Sequence, residues 1–344
     1  MPDTEPQGRP ERHLLLVAGQ GRSGTSLYTA IMQELGLHVP QPEIAPDPTN
    51  PRGFKEPKWV VDFHQRLLKR LGVRPADARP SGWVTTGQTA ERDALDTELR
   101  TWLESQLADH PRLIIKDPRT AWFLGLWRKT ADDLDLPIAI TTMLRHPAEV
   151  MLSKRSAYGG RRDVTARMAG WLNGMLFTEV ATRDLPRTFV RYGSLLADWA
   201  QETRRADHQL GLRLMPSATD AQVEGVSKIV DPELHRSHAS IDDLELPDPL
   251  RQLALDTWEQ LGALADDPVV SNGDPRAVSL DELREQYVRY YKQCEAVARS
   301  SILAAESSPR RRKHGAAKSA VKPAAARPVA GPPRMLRLRR RSKR

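Results

Sequence analysis

Between residues 13 and 195, short apolar runs alternate with stretches whose apolar positions recur every three or four residues. The runs are Leu14–Ala18, Leu113–Lys116, Ile138–Leu144 and Thr188–Tyr192, with a weaker one at Leu37–Val39. Each is apolar on successive rather than alternate positions, as a strand buried on both faces should be. Between them, Leu27, Ile31 and Leu35 stand at helical spacing, and Gly36 is placed to stop the helix. Val60, Phe63, Leu67 and Leu71 repeat the pattern after Pro57, which suits a first helical position. Leu95, Leu99, Leu103 and Leu107 repeat it again. Further on, Ser279 and Glu282 read as a capping box opening a helix. Leu283, Tyr287, Tyr290, Cys294 and Val297 stripe that helix to residue 300. Strand–helix alternation predicts an α/β fold, a parallel β-sheet flanked by helices on both faces. Ligands then belong at the carboxyl ends of the strands.

Composition narrows this reading. The chain has 344 residues, 39% hydrophobic and 28% charged, enough apolar material for a core and too much for a wholly disordered or fibrous chain. The longest apolar run, Leu14–Gly19, falls far short of the roughly 20 residues a membrane-spanning helix needs. The polar, proline-rich opening is no secretory signal, and a single cysteine, Cys294, excludes an internal disulfide framework and a thiolate zinc cluster. A reducing cytoplasm is expected.

The formal charge of +8 is unevenly spread. Residues 309–344 hold 14 Lys or Arg and no acid, leaving 38 basic and 44 acidic residues before them, a balance of −6. A nucleic-acid reading based on the overall charge thereby fails for the body and survives only for the tail. The expected organisation is a disordered N-terminus over 1–12, one domain over 13–304, and a disordered basic tail, rich in Arg, Ala and Pro, over 305–344. Peripheral contact of that tail with an anionic membrane, at its inner surface, or with nucleic acid is expected.

The first run leads directly into Gly19-Gln20-Gly21-Arg22-Ser23-Gly24-Thr25-Ser26 and then a helix. Glycines allow a tight turn that aims amides and the helix N-terminus at one anion, and Ser23, Thr25 and Ser26 add hydroxyls. An ordinary capped turn is the plainer reading of the glycines alone. Gly19 and Gly24 have the spacing of a nucleotide-triphosphate loop, GxxxxGK[ST], but the lysine position holds Thr25 and the cation is Arg22. That disfavours a loop built for a β/γ-phosphate with magnesium.

Arg22-Ser23-Gly24-Thr25-Ser26 resembles the 5′-phosphosulfate loop, [KR]-x-G-T-[ST], of the sulfotransferases that use PAPS, 3′-phosphoadenosine-5′-phosphosulfate. Their 3′-phosphate motif places an arginine at a strand end and a serine eight residues later. Arg145 and Ser153 reproduce this after Ile138–Leu144, with Pro147 starting the helix between them. A guanidinium grips phosphate bidentately and a hydroxyl adds a neutral donor. Val190-Arg191-Tyr192-Gly193-Ser194-Leu195-Leu196 is similar to a third segment, in which the tyrosine lies near the nucleotide base; the usual acids are Gly193 and Ser194 here, so only Tyr192 carries over. Residues 229–236 resemble a late basic segment, with Arg236 or Lys228 as candidates. The resemblance implies a P-loop-like sulfotransferase fold and transfer of a sulfuryl group from PAPS to a hydroxyl or amine of a small-molecule, carbohydrate or lipid acceptor. It implies cofactor binding by Arg22, Ser23, Gly24, Thr25, Ser26, Arg145, Ser153 and Tyr192, with no metal required.

An acceptor hydroxyl needs a base, and Glu56, Asp117, His38, His64 and His146 are the candidates. Gly53-Phe54-Lys55-Glu56 resembles a segment of bacterial members and of the heparan sulfotransferases, where the glutamate is the base. Glu56 is therefore preferred, with Asp117 in reserve, Arg22 as the cation at the transferring group and Lys116 of Lys116-Asp117-Pro118-Arg119 as the second cation. His64 reads as a packed residue, and Lys154 and Arg155 as solvated flank charges. Trp59, Trp83, Trp102, Phe123 and Trp171 are candidates for an acceptor pocket, though core packing is their commoner role. Two rivals stand beside this reading: an ATP- and Mg-dependent P-loop kinase, and a non-enzymatic nucleotide fold acting through its tail.

Overall fold

The computed structural model describes residues 12–159, 163–231, 239–268 and 273–307. The chain divides into two compact units, Met1–Gln293 and Cys294–Arg344. All candidate site residues among the described positions lie in the first.

That unit is built on four strands, β1 (His13–Gly19), β2 (Arg112–Lys116), β3 (Ile138–Leu144) and β4 (Arg187–Arg191). They form one sheet in the order β2-β1-β3-β4, and every neighbouring pair is parallel. Each of the four stronger apolar runs becomes a strand, and the alternate positions of β1 show why they carry no polar stripe. Leu15 and Val17 pack with Tyr28, Ile31 and Met32 of α1 (Thr25–Glu34). Leu14, Leu16 and Ala18 pack on the other face with Phe63 and Leu67 of α2 (Lys58–Leu71) and Leu99 and Leu103 of α4 (Asp93–Asp109). A third cluster joins Leu144 and Phe189 to α6 (Pro147–Tyr158), α7 (Val164–Ala181), α11 (Asp248–Asp266) and α12 (Pro275–Ser307). The remaining helices are α3 (Ser81–Gly87), α5 (Leu124–Asp133), α8 (Tyr192–Ala197), α9 (Trp199–Leu210) and α10 (Asp220–Ile229). Among the described residues no helix is long and apolar enough to cross a membrane.

Because β1 is followed by β2 on one side while β3 is followed by β4 on the other, the strand order reverses between β1 and β3. A crevice at the carboxyl ends of such a pair is where open α/β sheets take ligands.

Four local expectations need correction. Leu37–Val39 is not a strand; only His38 bridges, to Leu113, with one residue exchanging bonds with β2. Pro57 is the N-cap of α2 rather than its first residue, because Ile44 and Lys58 donate to the Glu56 and Pro42 carbonyls and keep 56–58 extended against 42–44. The last helix opens at Pro275 rather than Ser279, since the Asp274 carboxylate already accepts the Arg276 amide one turn earlier. Tyr192, expected at the end of a strand, is instead the first residue of α8.

α4 and α5 are fastened by a buried acid. Asp96 accepts hydrogen bonds from Lys129 (2.8 Å) and Thr130 (2.7 Å) of α5 and from Arg100 (2.6 Å). Burial pushes its carboxyl up, but these bonds outweigh burial and bring it down to about 2. A carboxyl depressed in the folded chain stabilises fully above its unfolded value near 3.9 and loses that stabilisation as pH falls toward 2. Asp96→Asn should therefore be less stable than the parent at pH 7, and the gap in urea midpoint should shrink by pH 2.5. A gap independent of pH would mean that packing, not charge, is the contribution of Asp96.

Candidate active site

The turn after β1 is shaped by two positive-φ residues, Arg22 (φ 79°) and Gly24 (φ 89°). Gly24 is the N-cap of α1 and has no side chain to satisfy the helix, so the first-turn amides are left for an outside acceptor. Ser23 and Thr25 are buried beneath the turn, while the Ser26 hydroxyl donates to the Phe54 carbonyl at 3.0 Å. A side chain at Gly24 has no room either: a Cβ there would lie 2.2 Å from Tyr192 Cδ2.

Arg22 runs from this turn to α6 and to the segment after α1. Its Nε donates to Ser153 Oγ (3.1 Å) and its Nη1 to the Thr49 carbonyl (3.0 Å). In return, the Arg22 carbonyl accepts from Arg145 Nη1 at 3.1 Å. Arg145 leaves β3 as β1 leaves the sheet, and Pro147 starts the helix that brings Ser153 round. The Arg145 guanidinium is paired with Glu149 (2.9 Å) and lies 4.6 Å over the Tyr192 ring. Its Nη2 takes no hydrogen-bond acceptor among the described residues. Arg22, Ser153, Arg145 and Tyr192, separated by up to 170 positions in sequence, thus meet at the switch point between β1 and β3.

On the other side of β1 stands Lys116, the last residue of β2 and the register partner of Val17. Its Nζ donates to Glu56 Oε1 (2.6 Å), the Phe54 carbonyl (3.0 Å) and Ser26 Oγ (3.3 Å). Both members are buried, Glu56 at 8% exposure and Lys116 at 2%. Arg119 Nη1 stands 3.9 Å from the other Glu56 oxygen. The parallel sheet therefore sets Arg22, just past β1, and Lys116, at the end of β2, along one edge, and the bond to Lys116 brings Glu56 there too.

The sequence matches no protein-family model and no curated protein. The chain is similar to the solved sulfotransferase domain of the Synechococcus PCC 7002 olefin synthase, at 13% identity and TM-score 0.38, over 83% of this chain and 97% of that one. It is similar also to the sulfotransferase domain from the curacin biosynthetic pathway, at 14% identity and TM-score 0.40, over 73% and 98%.

The other base candidates separate cleanly. Asp117 has no exposed surface: Oδ2 meets His64 Nδ1 (2.8 Å), and Oδ1 accepts from both the Arg119 amide (3.1 Å) and Arg119 Nη1 (2.6 Å). An acceptor cannot reach it. His64 is wholly buried and accepts from Trp127 Nε1 (3.0 Å), in keeping with the packed role expected of it. His38 lies beside Leu113, at the amino end of β2, and stacks on His110 with ring centroids 3.4 Å apart. That is the wrong end of the sheet. His146 caps α6 and turns its ring edge-on to Trp258, in surroundings whose burial lowers its pKa.

Several residues differ from their sequence reading. Lys154 is not a solvated flank charge; it is buried on α6 and donates to Gln20 Oε1 (3.1 Å), bracing the turn from below. Only the fact that it follows Ser153 on the same helix hinted at this. Thr49 contributes a carbonyl, for which no side-chain signal exists. Lys228 is exposed and paired with Glu224, and Arg236 lies outside the described residues. Trp171 and Phe123 are core, Trp59 is stacked on Trp102 (4.5 Å) and Trp83 lies between Trp122 and Phe177. Packing accounts for these rings.

Proposed function

We propose that the chain is a PAPS-dependent sulfotransferase, transferring a sulfuryl group to a hydroxyl or amine of a small-molecule, glycan or lipid acceptor. The observation that carries this reading is the convergence of Arg22, Arg145 and Ser153 at the uncapped N-terminus of α1. Two cations around a helix start that has no side-chain cap suit a ligand with two separate anionic groups. PAPS, when bound, would supply the activated sulfuryl group, and adenosine 3′,5′-bisphosphate would depart as the leaving group when the sulfuryl group passes to the acceptor.

The chain's own residues divide the work. The α1 amides, with Arg22, hold the 5′ end and meet the charge that develops on the leaving oxygen. Arg145 and Ser153 hold the 3′-phosphate. Lys116 holds Glu56 in place, and Glu56 takes the acceptor proton. Among the described residues no three His, Cys, Asp or Glu are grouped as metal ligands. Thr25 at the usual lysine position sets the site apart from a magnesium–ATP loop. The cytoplasm suits such a chemistry, and the basic tail would supply any contact with an anionic membrane or nucleic acid.

A thermal-shift comparison of adenosine 3′,5′-bisphosphate with ATP–Mg²⁺ tests the reading: a shift with the first supports it, a shift with the second alone supports a kinase, and none with either overturns both. Arg145→Ala should weaken adenosine 3′,5′-bisphosphate binding by roughly 2–3 kcal/mol, the range of charge-assisted bonds. Adenosine 5′-phosphate, lacking the 3′ group, should lose only what the slackened Arg22 carbonyl contact costs. Equal losses for both ligands would remove Arg145 from the 3′ position.

A further inference from the structure

A line of buried polar groups runs to Glu56 from behind, through three separate elements. It begins at Trp127 on α5, whose indole N–H donates to His64 Nε2 at 3.0 Å. Indole nitrogen can only donate, so that imidazole nitrogen must accept. The His64 proton is thereby fixed on Nδ1, where it is donated to Asp117 Oδ2 at 2.8 Å. The second Asp117 oxygen receives the Arg119 amide and Arg119 Nη1 at 3.1 and 2.6 Å. Two bonds from one residue to one oxygen close a small ring that leaves the Arg119 side chain little freedom. The same Nη1 stands 3.9 Å from Glu56 Oε2, while Lys116 holds Oε1 at 2.6 Å.

The arrangement is more than core filling. His64 and Asp117 have no exposed surface, and burying them would be costly unless each group were satisfied. They are satisfied by each other, and the line ends on a cation that is itself partly exposed, at 18%, rather than on another core group. The turn carrying that cation lies against the phosphate loop, since Pro118 Cγ is 4.0 Å from where a Gly21 Cβ would be. Beside Glu56 in sequence, Lys55 pairs with Glu43 at 3.7 Å.

We propose that Arg119 is a positioning residue for Glu56, a second cation aimed at its free oxygen by the buried Trp127–His64–Asp117 line. It rests on the reading of Glu56 as the base. Lys116 restrains one oxygen of the carboxylate; Arg119 restrains the rotation that would carry the other away from the acceptor. Asp117 contributes nothing of its own to the reaction and acts only through Arg119.

The test follows from that dependence. Hydrolysis of radiolabelled PAPS to sulfate, with water as acceptor, serves as the readout while the natural acceptor is unidentified. Arg119→Ala should lower kcat roughly 10- to 100-fold, with adenosine 3′,5′-bisphosphate affinity unchanged, and added ethylguanidinium should restore part of the loss. Asp117→Asn should lower kcat comparably in the parent and have little further effect in the Arg119→Ala background, because neighbours acting as one unit are not additive. Additive losses, or no rescue by ethylguanidinium, would overturn the proposal and leave the line a structural one. Should Asp117→Asn fail to fold, as judged by its thermal melt, the rescue of Arg119→Ala decides alone. A parent protein that binds adenosine 3′,5′-bisphosphate and hydrolyses PAPS while Arg119→Ala is unaffected rejects Arg119 and keeps the function; a parent that does neither rejects the function itself.

Discussion

Glu56→Gln should lower turnover by roughly 100- to 10,000-fold, the usual contribution of a positioned base. Glutamine keeps the shape and a carbonyl that can accept from Lys116 Nζ, so the 2.6 Å contact is replaced rather than emptied. What is lost is the capacity to take a proton. Nucleotide affinity should stay within about 1 kcal/mol, since the phosphate grip is proposed for Arg22, Arg145 and Ser153, on the other side of β1. Rates are compared with labelled PAPS and affinities by titration with adenosine 3′,5′-bisphosphate. Near-normal turnover in the glutamine variant would make Glu56 merely the partner that allows Lys116 to be buried.

Gly24→Ala is expected to damage both ends of the proposed nucleotide site at once. The backbone at Gly24, with φ 89°, costs an alanine on the order of 1–2 kcal/mol by itself. A Cβ 2.2 Å from the Tyr192 ring then forces a shift, and overpacking of this kind costs about 1–3 kcal/mol more. Tyr192 cannot yield alone, because the Arg145 guanidinium rests on its ring and Arg145 in turn holds the Arg22 carbonyl. The variant should therefore melt several degrees lower and lose most of its affinity for adenosine 3′,5′-bisphosphate. Adding Tyr192→Ala removes the collision but not the backbone cost, so the double variant should be more stable than the sum of the two single losses. Strict additivity would place the damage elsewhere.

How much of this could be read beforehand depended on how local each feature was. β1 and β3 are legible because Leu14–Ala18 and Ile138–Leu144 are buried on both faces over five and seven successive positions, with only Thr141 and Thr142 interrupting the apolar run. Leu37–Val39 carried the same letters, but three residues are too few to pair and only His38 does. The turn from Gly19 to Ser26 and the Arg145–Ser153 spacing were legible because each lies within one strand–helix unit. That they meet at one crevice depends on the strand order, which apolar runs do not encode. The settings of Lys154 and Arg119 are not legible for a related reason: their partners Gln20 and Glu56 are 134 and 63 positions away, and a lone basic residue looks the same whether solvated or enclosed. His64 was legible as packed from its neighbour Phe63, but its bond to Asp117 spans 53 positions and leaves no sequence pattern.

The two acceptors that hold Arg22 set a condition for entry. Ser153 offers a hydroxyl and Thr49 a carbonyl, both neutral. Exchange of either for a ligand oxygen is favourable only if the newcomer binds the guanidinium more strongly, and an anionic oxygen adds the attraction between two opposite charges to what a neutral acceptor offers the same cation. A sulfate or phosphate ester meets that condition; an uncharged nucleoside of the same shape does not, and Arg22 would stay where it is. In the proposed site, then, visitors are sorted by ionisation before they are sorted by outline, with the hydroxyl and carbonyl acting as a threshold that favours an anion.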